Sequence, residues 1–157
     1  MGLQEDRPSN RTAYEARVLR PNRREARLVA TAVRAKYGNL VIDPTHLKVS
    51  GWSQANYHAF WTTVLERYVG RVIFADGWQF SIGCSVEFLS AVRLGAQTLN
   101  QNFAPIETTD AMRLLRSANF DIKVMGFDIT TMEEVANKLA TVDCNRRRVA
   151  DKTSGEG

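Results

Sequence analysis

Apolar residues recur along this chain in two rhythms, and the alternation between them predicts a mixed α/β protein. Pro21-Asn22 opens the stretch RREARLVATAVRAKYG, where Leu28, Val29, Ala32 and Val33 fall at helical spacing and Gly38 is the stop. Leu40-Val41-Ile42, ending in Asp43-Pro44, reads as a buried parallel strand. A loop from Pro44 to Trp52 follows, and Ser53 is placed to cap a helix from Gln54 to about Tyr68, with Phe60, Trp61, Val64 and Leu65 packed. A second β-branched run, Val72-Ile73-Phe74, leads through a Gly-containing loop to a helix over Cys84–Gly95, and Gln97-Thr98-Leu99 reads as a further strand.

Beyond Leu99 the rhythm becomes helical. Asn100 to Thr108 reads as a connection. Thr109 caps an expected helix from Asp110 to about Met125, with Met112, Leu115, Ala118 and Phe120 as apolar positions and Gly126 as its end. Thr130-Thr-Met-Glu133 has the form of a capping box that starts a helix through Val142. The expected architecture is a three-layer α/β/α domain over residues 21–142, Rossmann-like, with a small parallel sheet and two C-terminal helices. Those two helices either cover a sheet face or pair with another subunit. Residues 1–20 read as a flexible Arg-rich arm and 143–157 as a disordered tail.

Composition narrows the class without naming an activity. A chain of 157 residues, 44% hydrophobic and 24% charged, is long enough for one core. No apolar run approaches the roughly 20 residues that span a bilayer, so no membrane partner is expected. Cys84 and Cys144 stand far apart with no second cysteine near either, which excludes a Cys-x-x-Cys site and suits reduced thiols in the cytoplasm. His46 and His58 make no metal spacing, and neither a metal nor another cofactor is expected. The net charge of +4 sits at the ends: residues 1–36 hold nine Lys/Arg against four Asp/Glu, whereas residues 37–142 hold eight against ten. With no interleaving of aromatic and basic residues, nucleic acid is not the expected partner.

Candidate chemistry concentrates in Arg71–Leu99. A strand handing over to a helix through a Gly-containing loop gathers backbone N–H groups and a positive dipole at one place. Wound at about 100° per residue, the helix puts Cys84, Phe88, Ala91, Val92 and Gly95 on one face, with Arg93 opposite. Glu87 lies between Leu94 and Ala91, inside the apolar half and in the expected first turn. Helical side chains lean toward the N-terminus, which aims Glu87 at the loop carrying Ser81 and Gly83. The plainer alternative is a glutamate that stabilises its own helix start. Asp76 is the nearest candidate to protonate or hold a leaving group, or else is the polar residue that ends the strand. Trp52 and Trp78 are the aromatics best placed to flank a base, or else are packing residues.

Ser81-Ile-Gly83-Cys-Ser-Val-Glu87, preceded by Gly77-Trp78, resembles the nucleoside 2-deoxyribosyltransferase superfamily. The spacing is most similar to its 2'-deoxynucleoside 5'-phosphate N-hydrolase branch and to relatives with a Gly-Trp-x-x-Ser turn. The resemblance implies cleavage or transfer at the N-glycosidic bond of a deoxynucleoside or its 5'-monophosphate. It makes Glu87 the nucleophile, and Ser81 with Gly83 the phosphate contacts. It also puts Gly77, Trp78 and Pro44, the last in a Pro-containing loop, at the pocket wall, and implies a homo-oligomer. Two departures keep an alternative open. Met1–Arg20 lacks the family's apolar strand with its Gly-Pro loop, and the stretch from Tyr57 to Glu66 lacks its aspartate. The alternative is a nucleotide-binding or sensing module of the same fold without turnover; a purely structural assembly subunit is the third reading.

Overall fold

The computed structural model describes residues 20–38 and 41–154, the side chains of residues 20–23, 45, 54 and 143–154 excepted. The chain divides into two compact units, Met1–His46 and Leu47–Gly157. The first carries helix α1 (Arg20–Tyr37), whose Pro21 sits where a missing N–H does no harm and whose end is marked by Gly38 at φ 86°. Ala30 and Val33 are its buried positions; Leu28, expected in the apolar stripe, is exposed. The expected arm, apart from Arg20, lies outside the described residues.

No strand forms at Val41-Ile42, and Leu40 lies outside the described residues. Ile42 is 53% exposed, and the chain turns into a short 3₁₀ segment, Pro44–His46. Asp43 accounts for the difference. Its nearly inaccessible carboxylate lies 3.9 Å from Arg34 and 3.5 Å from His46, which holds the segment in a turn. A β-branched run becomes a strand only beside a sheet neighbour, and this one has none among the described residues.

The second unit begins with a turn in which the Val49 amide donates to the Tyr57 hydroxyl at 2.8 Å. Ser53 then caps α2 (Gln54–Tyr68) as expected, in a reciprocal box: its hydroxyl accepts from the Asn56 amide at 3.3 Å, and Asn56 Oδ1 accepts from the Ser53 amide at 2.9 Å. Ser53→Ala is therefore expected to destabilise the chain by about 1 kcal/mol, read as a lower urea midpoint, whereas Ser53→Asp preserves the cap and the midpoint. Leu65 is buried, but Phe60, expected to be packed, is exposed against the edges of Trp52 and Trp61.

Strand β1 (Arg71–Phe74) pairs in parallel with β2 (Gln97–Asn100), in register from Arg71 opposite Gln97 to Phe74 opposite Asn100. Parallel strands need a long crossover, and α3 (Ile82–Leu94) supplies it. Residues 104–106 then double back beside β2: the Ile106 amide donates to the Thr98 carbonyl and the Thr98 hydroxyl to the Ile106 carbonyl. Helices α4 (Thr108–Val124) and α5 (Thr130–Ser154) close the unit. Ala111, Leu115, Ala118 and Ile122 of α4 and Met132, Val135, Ala136 and Leu139 of α5 share one core with Phe74, Trp78, Phe88 and Val92.

Three expectations for this half are corrected. Phe120 points away from the core, because the buried stripe of α4 follows the small and branched residues at 111, 115, 118 and 122. Neither threonine caps as expected. Glu107 precedes α4 without a side-chain cap bond, and at α5 the Asp128 carboxylate accepts from the Thr130 amide and hydroxyl in place of a Thr130–Glu133 box. The stretch from residue 143, expected as a tail, is helical through Ser154. Arg, Ala and Lys are good helix formers, and no Gly or Pro interrupts them.

Candidate functional site

The site is built where β1 passes into α3. After Phe74 the chain turns sharply: the Trp78 amide donates to the Ala75 carbonyl, and Gly77 takes φ 80°, a left-handed conformation that glycine adopts freely. A 3₁₀ segment, Trp78–Phe80, follows. It drives the Trp78 ring inward, 6% exposed and stacked on Phe88 at 4.7 Å and 14°, with Phe74 5.2 Å away. Of the two readings open for Trp78, the structure has the packing one: the ring is a plug that anchors the turn to the core.

Ser81 is the N-cap of α3, so the helix starts two residues earlier than expected. Its hydroxyl accepts from the Cys84 amide at 3.4 Å, and its carbonyl receives both the Ser85 amide and the Ser85 hydroxyl at 2.9 Å. Gly83 is consequently a helical residue, not a loop residue, and Glu87 stands in the second turn. Among the described residues the Ile82 and Gly83 amides have no acceptor, as expected for the first residues of a helix.

Glu87 lies one turn above Gly83, beside Cys84. It is partly accessible to solvent yet densely surrounded by protein, and that desolvation pushes its carboxyl up to about 7. No hydrogen bond or ion pair reaches it among the described residues. Burial therefore favours the neutral carboxyl, and no donor from the Ser81–Gly83 turn reaches it to hold the charged form. Cys84 feels the same environment. Burial first, and then the Glu87 charge, push its thiol up to about 11, against hydrogen bonding from Ser81.

Asp76 is exposed and committed elsewhere. Gln101 Nε2 donates to its carboxylate at 2.6 Å, and its own amide donates to Gln101 Oε1 at 3.0 Å, a clasp that ties the end of β1 to the turn after β2. Trp52 meets Tyr57 edge-on at 5.1 Å and Phe60 at 5.4 Å. Pro44 is exposed in the first unit. The structure therefore brings Ser81, Gly83 and Glu87 together on one helix start, and turns Gly77 and Trp78 into the scaffold beneath it.

No family model, curated protein or solved structure matches this chain. Its chemistry rests on its own geometry. Among the described residues no group of three or more His, Cys, Asp or Glu side chains is placed to hold a metal ion, and no helix is long and apolar enough to cross a membrane. Sequence reasoning missed two neighbours of the site. Cys84 was legible as an i, i+3 companion of Glu87; Gln101, 25 residues from Asp76, has no local signal.

Proposed function

We propose that the chain cleaves, or transfers the sugar across, the N-glycosidic bond of a deoxynucleoside or deoxynucleoside 5'-monophosphate, with Glu87 as nucleophile. One observation carries this reading: a carboxyl group crowded by protein, without a partner among the described residues, one turn from two free helix-start amides. A structural glutamate in such surroundings is normally paired. An oxocarbenium-like centre beside it supplies the missing positive charge, and in a poorly solvated place that attraction is stronger than in water. In the first step a Glu87 oxygen bonds to the anomeric carbon while the C–N bond breaks. The bonding pair leaves with the base, which takes a proton from solvent. Water, or a second base, then displaces Glu87 from the sugar. The free Ile82 and Gly83 amides with the Ser81 hydroxyl form the 5'-phosphate cradle in this reading. The same reading extends the two described strands into a three-layer, Rossmann-like sheet and takes the working form as a homo-oligomer.

Chromatography of deoxynucleoside monophosphates incubated with the protein tests the proposal: free base should accumulate above background. Ser81→Ala should raise KM about tenfold or more for the monophosphate and little for the nucleoside, because a hydrogen bond to a charged group is lost only with the former. Equal changes for both would mean that only the helix cap was lost. The clasp of Asp76 by Gln101 favours a second reading, since it occupies the one acid expected to assist the departing base. In that reading the module binds nucleotide without turnover, and calorimetry shows binding while no base appears.

A further inference from the structure

Helix α1 carries a charge arrangement that its own fold does not explain. Arg20, Arg23, Arg24 and Arg27 follow one another at i, i+3, i+4 and i+7, which confines them to an arc of about 100°. Arg34 falls within the same arc. Glu25, the only acidic residue of the helix, and Lys36 lie on the far side. Arg24 and Arg27 are exposed, and no carboxylate or other acceptor reaches their side chains among the described residues. Arg34 is different: Asp43 lies 3.9 Å from it. Of the described side chains, Arg24 and Arg27 thus form the free part of the stripe.

Such a stripe works against the helix that bears it. Like charges three and four residues apart repel, and cations near a helix N-terminus oppose the macrodipole. The first turn holds no acidic residue to offset either effect. An anionic partner with closely spaced charges relieves both at once. We infer that the arginine face of α1 docks on the phosphate backbone of a nucleic acid, contrary to the expectation from composition. Arg20 to Arg27 rises about 10 Å, the length over which one strand presents about three phosphates. The alternative anionic surface, a lipid bilayer, needs the apolar face of the helix for insertion. Here Ala30 and Val33 are already buried in protein, and the exposed large apolar side chains of the helix, Leu28 and Tyr37, lie on opposite sides of it and make no inserting face.

Fluorescence anisotropy of the full chain with labelled 20-nucleotide duplex DNA and single-stranded RNA tests the inference. Binding should weaken with salt, with a slope of log K against log salt of about −3 on the duplex. Arg24→Gln/Arg27→Gln should lower affinity about tenfold or more at 0.1 M salt and reduce the slope by about 2. Arg24→Lys/Arg27→Lys should keep most of the affinity, and circular dichroism should show the helix retained in both variants. Arg116→Gln/Lys123→Gln removes the same charge from exposed positions of α4 and should leave binding nearly unchanged. Absence of binding at 0.05 M salt overturns the inference. So does an equal loss in the α4 variant, which would mean diffuse attraction to a basic chain, or capture by phosphatidylserine vesicles in place of the oligonucleotides. Base release from mononucleotides should be the same in the Arg24→Gln/Arg27→Gln variant as in the parent, which separates this surface from the chemistry proposed for Glu87.

Discussion

Replacing Glu87 with glutamine is expected to lower kcat/KM for base release by about 10³-fold or more and, at pH 8, to make the protein more stable. Loss of an attacking group removes the covalent route, and effects of that size or larger follow removal of nucleophiles elsewhere. The stability gain follows from the raised carboxyl. Its ordinary value of 4.5 rises to about 7 in the folded chain. Between those values the folded state keeps a proton that the unfolded state gives up. The stabilisation is complete below about 4.5 and lost as pH rises through about 7, a loss on the order of 3 kcal/mol. Glutamine cannot ionise, so its urea midpoint should be flat across that window and exceed that of the parent above it. Activity should run the other way in the parent, rising with pH through about 7, because only the anion attacks carbon. A rate that falls through 7 would make Glu87 a proton donor instead. Identical base release by the parent and the variant would remove the basis for the enzymatic reading.

The opposing slopes describe a group whose folded environment disfavours the form its chemistry requires. Stability given up at one side chain is a common property of sites that bind or react, because the charge is poorly matched until the substrate arrives. The sequence made half of this visible. Helical winding alone put Glu87 inside the apolar half of α3, since Phe88, Ala91 and Val92 surround it in the chain and are all buried. The start of α3 was misplaced because Gly83 resembles loop punctuation, whereas Ser81 had already satisfied the Cys84 amide and let a glycine enter the first turn.

Elsewhere the legible features were those whose cause is local. The Ser53 cap, and Gly38 and Gly126 at helix ends, depend on a few neighbouring residues and stand where expected. The strand–helix–strand order from Arg71 to Asn100 also follows from a local change of rhythm. Features with distant causes were not legible. Whether Val41-Ile42 becomes a strand depends on a neighbour that sequence spacing does not name. Asp43 instead met Arg34 and His46. Trp78 reads equally well as a ring waiting for a base and as a ring stacked on Phe88, since only the turn at Gly77 decides its direction.

Phe88→Ala should be the most destabilising single substitution in the second unit, lowering stability by about 3–5 kcal/mol. Phe88 is 0% exposed. Its ring lies against Trp78 at 4.7 Å and Phe74 at 5.2 Å, so it joins the end of β1, the Gly-Trp turn and α3 at one point. Truncation opens a cavity beside the paired rings of Phe74 and Trp78, which the strand and the turn after it hold in place, and this limits collapse around the gap. For a chain of this length the midpoint of thermal unfolding should fall by about 10 °C or more. Phe120→Ala is the matched control. The same side chain on α4 is 69% exposed and should change stability by no more than about 0.5 kcal/mol. Urea titrations of both variants, followed by tryptophan fluorescence, separate the two positions directly. If they shift the midpoint alike, Phe88 is not the junction of strand, turn and helix, and the support beneath Glu87 must come from other residues.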